Sequence, residues 1–243
     1  MTTATLVLLP GLMCDAAIWA PLDPYLPPGV RVWVPDYGLA NQLTMMARQV
    51  LEQAPSERFA LAGHSMGGRV ALEVVRLAPQ RVTRLALLDT GYLPRPPGEP
   101  GVQEAAKRHA LLDMARKQGV RAMAQTWVQG MVHPDRLRDD RLIEAVVAMF
   151  ARKSADVFAC QIEALLDRPD ASDVLASLTM PALLLCGAQD SWSPPVQHGA
   201  MRLLAPHAML DVVADAGHMA PMEQPEAVAL SLSRWLQHPA APA

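Results

Sequence analysis

The sequence predicts an α/β fold: a doubly wound, mostly parallel sheet of about six strands, interrupted by one long helical stretch. Three observations carry this. Six short apolar runs alternate with amphipathic segments. A Gly-x-Ser-x-Gly pentapeptide marks one strand-to-helix turn. Residues 91–172 carry helical patterning with no convincing strand. Apolar runs that need not alternate suit parallel strands buried on both faces, and strands separated by helices select a parallel sheet.

The strands are expected at Thr5–Leu9, Arg31–Pro35, Phe59–Ala62, Arg84–Leu88, Ala182–Cys186 and Ala208–Val213. Apolar residues at helical spacing place helices near Leu43–Gln53, Gly68–Leu77, Val196–Leu204 and Pro225–Leu236. Within 91–172 the helical segments are Val102–Gln118, Val120–Val132, Arg136–Lys153 and Ala155–Leu166, after a stiff stretch holding Pro94, Pro96, Pro97 and Pro100. The charged run Arg136–Arg141 reads as an exposed helix face, and the tail Pro239–Ala243 as frayed.

The chemistry sits in the loops. Leu61-Ala62-Gly63-His64-Ser65-Met66-Gly67-Gly68 follows an apolar run and precedes a helix. A serine there must occupy a tight, strained turn that lifts Oγ clear of the sheet, with the helix N-terminus favouring negative charge beside it. Downstream, Asp190 follows the fifth strand and His218 the sixth, giving the order Ser65…Asp190…His218. Both loops leave C-terminal strand edges, where open parallel sheets place their sites. Asp89, ending the fourth strand, and Asp215, three residues before the histidine, compete for the acid's place. Asp215 reads as a turn residue.

With these motifs in order, and Leu8-Leu9-Pro10-Gly11-Leu12 near the start, the chain resembles the α/β-hydrolase superfamily, in particular its capped carboxylesterase and enol-lactonase-like group. The resemblance implies a catalytic triad of Ser65, His218 and Asp190, with an oxyanion hole from the backbone N–H groups of Met66 and Leu12, Met13 being Leu12's neighbour. Most relatives carry His-Gly where this chain has Pro10-Gly11. It also implies a division into a core of 1–90 and 173–243 and a helical cap at 91–172. In the cap and its surroundings Trp127, Trp192 and Met13 are the candidate pocket residues. The remaining cap methionines and phenylalanines (Met114, Met123, Met131, Met149, Phe150, Phe158) read mainly as packing.

The implied activity is hydrolysis of a carboxylic ester or lactone through an acyl-enzyme. A carbon–carbon bond hydrolase or thioesterase would use the same triad, and a non-catalytic ligand-binding receptor the same fold. Superfamily dehalogenases and epoxide hydrolases place an aspartate where this chain has Ser65. Serine-type hydroxynitrile lyases place a lysine where it has Met219.

Composition agrees with a globular enzyme. With 243 residues, 51% of them hydrophobic, the chain can bury one large core. Net charge is −3 with no basic stripe, so nucleic acid is not the expected partner. No apolar run approaches membrane-spanning length, no leader pattern opens the chain, and the default location is cytoplasmic. Three scattered cysteines (Cys14, Cys160, Cys186) read as reduced thiols. No Walker-type loop or Gly-x-Gly-x-x-Gly implies a nucleotide cofactor. His109, His133, His198, His207 and His238 lack metal-ligand spacing and read as solvated or capping residues. His64 reads as a packed neighbour of the serine turn. No cofactor and no metal are called for; the expected partner is a small-molecule ester or lactone, with oligomeric state open.

Overall fold

The computed structural model describes residues 5–238; the tail expected to fray lies outside them. Six parallel strands, β1 (Thr5–Leu9), β2 (Arg31–Trp33), β3 (Phe59–His64), β4 (Val82–Leu88), β5 (Ala182–Gly187) and β6 (Met209–Val213), form one sheet in the order β2-β1-β3-β4-β5-β6. Strands β1, β3 and β5 bury every residue, which accounts for their uninterrupted apolar sequence. The expectation that all six are buried does not hold. Strands β2 and β6 are the sheet's edges and expose part of their length. Pro35 falls outside β2, as a residue without an N–H does at the end of a ladder.

The helices are α1 (Leu43–Gln53), α2 (Met66–Leu77), α3 (Glu99–Gln118), α4 (Val120–Trp127), α5 (Asp140–Ala151), α6 (Ala155–Leu166), α7 (Ser172–Ala176), α8 (Pro195–Leu204), α9 (Ala220–Glu223) and α10 (Pro225–Gln237). The winding reverses at β1. Right-handed crossovers then place α1, α2 and α8 on one face, and the 3₁₀ helix Ala20–Tyr25, against which α10 packs, on the other. The reversal puts the loops after β1 and β3 side by side, the switch point where such sheets hold ligands.

Helices α3–α7 all lie between β4 and β5, with α3 packed on α4 and α6, and α4 on α5. Two expected helices are interrupted. After Trp127 the chain tightens into a 3₁₀ turn over Val128–Gly130. The segment expected to run unbroken from Arg136 splits at Asp139, whose side chain caps α5 by accepting from the Leu142 N–H. Aspartate is more favourable as such a cap than inside a helix. Pro100, expected to precede the helix, lies in the first turn of α3, where its missing N–H costs nothing. Among the described residues no helix is long and apolar enough to cross a membrane, and no metal-binding cluster of side chains occurs.

Candidate active site

Ser65 is the residue between β3 and α2, and its backbone sits at φ 53° and ψ −117°. That left-handed conformation is costly for a residue with a side chain. Three hydrogen bonds hold it: its N–H donates to the Leu88 carbonyl at 2.9 Å, and its carbonyl accepts from Gly68 N–H at 3.0 Å and Thr90 Oγ1 at 2.6 Å. The flanking glycines are required by contact. A Cβ on Gly63 would stand 2.3 Å from the Gly67 carbonyl oxygen, and one on Gly67 would stand 2.1 Å from that of Leu9. The motif is therefore the sequence trace of β1, β3 and α2 converging on one point.

The loops after β5 and β6 bring two more groups to Ser65. His218 Nε2 lies 2.8 Å from Ser65 Oγ, and His218 Nδ1 lies 2.9 Å from Asp190 Oδ2. The other Asp190 oxygen accepts from the N–H groups of Trp192 and Ser193, at 2.8 and 3.0 Å. Burial alone would raise the Asp190 carboxyl, yet His218 and the two backbone donors bring it down to about 2. Asp190 is thus a carboxylate, suited to holding Nδ1–H and leaving Nε2 free to accept a proton.

The two competing acids sit elsewhere. Asp89 is fully buried, with Oδ1 accepting from Gly187 N–H at 2.9 Å and Oδ2 without a partner, 3.9 Å from His64 Nε2. Burial, then the charge of Asp190, pushes its carboxyl well above the usual range, which disfavours its charged form. Asp215 is exposed in a turn at φ 53°.

On the loop after β1, the Leu12 N–H donates to no protein group among the described residues, and Met66, opening α2, has no preceding turn to bond to. Met13 behaves differently. Its N–H donates to Gln161 Oε1 at 2.8 Å and its side chain is fully buried outside the cavity, so the expectation of Met13 as a pocket residue is corrected. The bond from α6 fixes the loop in a left-handed turn at Met13, φ 62°. It supplies the anchoring that the Pro10-Gly11 departure leaves unexplained in sequence.

These groups open into a cavity of about 970 Å³. Its apolar wall includes Trp127, Phe150, Phe158, Met131 and Trp192. Trp192 tilts against His218 with ring centroids 4.9 Å apart and stacks on Trp127 at 5.7 Å. Trp127 also packs against Phe150 and Phe158, both at 5.4 Å. Cys14 lines the cavity too, but burial pushes its thiol far up, which disfavours the thiolate.

Several supporting residues escape sequence reasoning. Glu223 is buried and accepts three backbone N–H groups: Gly217 at 2.9 Å, Met219 at 3.2 Å and His133 at 2.7 Å. His218 is therefore clamped on both sides. Its own N–H donates to the Met131 carbonyl at 2.6 Å, and its carbonyl lies 2.7 Å from His64 Nε2. Burial pushes His64 down to about 3, which leaves it neutral and donating from Nε2. His198, expected as solvated or capping, is instead fully buried between Thr90 and Pro194, because α8 turns it toward the sheet. The one sequence signal for Glu223 was an acidic residue inside the apolar run after His218.

The alpha/beta hydrolase family model matches residues 6–230. A pimeloyl-[acyl-carrier protein] methyl ester esterase of Photobacterium profundum is 30% identical, over 96% of this chain and 94% of that protein. A 2-succinyl-6-hydroxy-2,4-cyclohexadiene-1-carboxylate synthase of Salmonella arizonae is 28% identical, over 96% of this chain and 93% of that one. Among solved structures, a thermophilic esterase of Thermogutta terrifontis with malate bound superposes with a TM-score of 0.86 at 27% identity, covering 96% of this chain and 89% of the other. The chain belongs to the alpha/beta hydrolase family.

Proposed function

We propose that the protein is a carboxylic ester hydrolase that cleaves a small ester or lactone with Ser65, His218 and Asp190. The observation that carries this is the unbroken chain of hydrogen bonds from Ser65 Oγ through His218 to Asp190, at 2.8 and 2.9 Å, at the wall of the cavity. Relationship to esterases supports the same reading. The substrate is a small molecule, and no step calls for a cofactor.

Each group has one task. His218 Nε2 removes the Ser65 proton as Oγ adds to the carbonyl carbon, and Asp190 stabilises the imidazolium without itself being protonated. The N–H groups of Leu12 and Met66 receive the carbonyl oxygen as it gains charge, aided by the N-terminus of α2. On collapse, the carbon–oxygen bond to the leaving group breaks and His218 returns the proton to that oxygen. Water, deprotonated by the same nitrogen, then adds to the acyl-enzyme, and Ser65 leaves with the proton. Residues 91–172 form a cap over the core of 1–90 and 173–243, and Trp127, Phe150 and Phe158 supply its apolar lining. The three cysteines are free, which suits a reducing compartment such as the cytoplasm.

The test is initial-rate hydrolysis of p-nitrophenyl esters from acetate to laurate, with Ser65→Ala alongside. Activity that peaks at one chain length and vanishes in the variant is the expected result. A variant as active as wild type overturns the reading, and a folded wild-type protein inactive on every ester removes the open-chain ester and leaves the lactone to be assayed by ring opening.

A further inference from the structure

The cavity has a second pole, distinct in chemistry from the aromatic wall. Arg69 projects from α2 one turn beyond Ser65, Arg108 comes from α3, and Arg168 follows α6; all three line the cavity. Arg95 and Lys107 stand exposed at its rim. The facing carboxylates are Glu104 and Asp170. Glu104 is shared, accepting from Arg168 Nη1 and Nη2 at 2.7 and 2.8 Å and from Arg108 Nε and Nη2 at 3.1 and 3.0 Å. Asp170 is exposed, and its side chain is engaged by Ser172. Arg69 bonds only to the Leu93 carbonyl, at 2.9 Å, and forms no ion pair among the described residues.

Two of the three guanidinium groups thus share one bridging carboxylate, and the third, Arg69, has none. Buried cations are normally matched one for one, because leaving water is costly without a partner. Burial, with the charges of Arg168 and Arg108 added, pushes the Arg69 guanidinium down to about 9. A second anion seated among the three would relieve that repulsion, and guanidinium forks are shaped for carboxylate oxygens.

We infer that this basic pole is a subsite for a carboxylate of the substrate, so that the ester opened at Ser65 belongs to a molecule carrying a second, free acid group. The inference rests on the ester-hydrolase reading for its chemistry, but not for its binding. Four residues along α2 separate Ser65 from Arg69, about 6 Å of helix rise, so one short molecule reaches both. Arg108 and Arg168 come from the cap and Arg69 from the core, so a seated carboxylate ties the two together. Arg95 and Lys107 draw an anionic substrate to the opening.

The experiment compares monomethyl esters of linear dicarboxylic acids, from succinate to suberate, with the corresponding dimethyl esters, following methanol release. At the best chain length kcat/KM should favour the half-ester by about tenfold or more. Added salt should weaken the preference wherever the acid group stays in contact with solvent. Arg69→Gln should bring the ratio of half-ester to diester close to one. Arg69→Lys, which keeps the charge but not the fork, should fall between. In parallel, thermal melts of Ser65→Ala are taken with each ester, so that binding is read without turnover. Stabilisation by the half-ester alone supports the subsite even if no ester is hydrolysed, in which case only the hydrolase reading falls. Equal rates and equal melt shifts for half-ester and diester at every chain length in low salt overturn it, as does the absence of both turnover and stabilisation.

Discussion

Glu223 touches no reacting atom, yet the geometry makes it the residue on which the position of His218 depends. Its carboxylate accepts from Gly217 and Met219 on either side of the histidine and from His133 in the segment after α4. Glu223→Ala leaves three backbone donors without acceptors in a site that is 3% exposed. At a net value near 1 kcal/mol per bond, with an added desolvation cost for donors left dry, the loss is about 3–5 kcal/mol. For a chain of this size that lowers the melting temperature by about 10 °C. The kinetic effect falls on kcat more than KM, because the aromatic wall of the cavity is untouched while Nε2 drifts from Ser65. A displacement near 1 Å costs on the order of a hundredfold. Glu223→Gln separates the contributions. Its amide oxygen can still serve Gly217 and Met219, but its amide nitrogen then faces the His133 N–H donor to donor, so the variant should sit between wild type and alanine. Thermal melts and steady-state kinetics on one ester decide the matter. A Glu223→Ala protein with an unchanged melt and unchanged kcat refutes the reasoning.

Four further outcomes follow from the same geometry. Asp190→Asn should reduce kcat by about 10⁴-fold with little change in KM, since the amide no longer holds the right imidazole tautomer. Gly67→Ala should fail to give active protein, because its Cβ would stand 2.1 Å from the Leu9 carbonyl oxygen, against the backbone of Leu9 and Pro10; wild-type kcat in that variant would contradict the packing described for the serine turn. Gln161→Leu frees the Met13 N–H and loosens the loop that carries Leu12, so kcat should fall about tenfold or more while Ser65 still reacts with an irreversible serine reagent. The pH dependence has two signs. Asp190, lowered to about 2 from 3.8, contributes stability that is present above pH 3.8 and is lost as pH falls toward 2. Asp89 is raised, so its contribution is lost as pH rises; Asp89→Asn, which keeps an acceptor for Gly187 N–H, should raise the melting temperature at pH 8 and leave it unchanged at pH 4.

The parts legible in sequence were those set by local patterning. Apolar runs placed all six strands, most plainly β1, β3 and β5, which bury every residue. The glycines around Ser65 were legible because backbone collisions leave no other residue type possible there. What stayed hidden depends on contacts between distant segments. Gln161 reaches Met13 across 148 positions, and Glu223 reaches His133 across 90. Neither residue type announces such a bond, since glutamine and glutamate on a helix ordinarily face water. The exposure of β2 and β6 was hidden for a related reason: an edge is a property of strand order, not of a strand's own residues. The basic pole was equally silent, because Arg69, Arg108 and Arg168 come from three separate segments and converge on one cavity only in the folded chain.

These contacts bear on how such a protein can change its substrate. Most residues that line the cavity lie between β4 and β5, and an insertion of that kind is often pictured as a lid, free to vary while the residues below stay fixed. Here the end of the Trp127–His133 segment supports the histidine directly. The Met131 carbonyl accepts the His218 N–H, the His133 N–H is held by the glutamate that also holds Gly217, and a Cβ on Gly217 would lie 2.7 Å from the Met131 carbonyl oxygen. Trp127, four residues before Met131, stacks on Trp192, which in turn packs against the His218 ring. Substitutions along α3 and α6 can therefore reshape the pocket with little effect on His218. Substitutions from Trp127 to His133 act on binding and proton transfer together. A library confined to α3 should shift specificity mainly through KM, whereas one confined to 127–133 should lower kcat even on the shortest ester, which never reaches the cap. Equal kcat losses from the two libraries on that ester would show that the segment supports the histidine no more than the rest of the cap does.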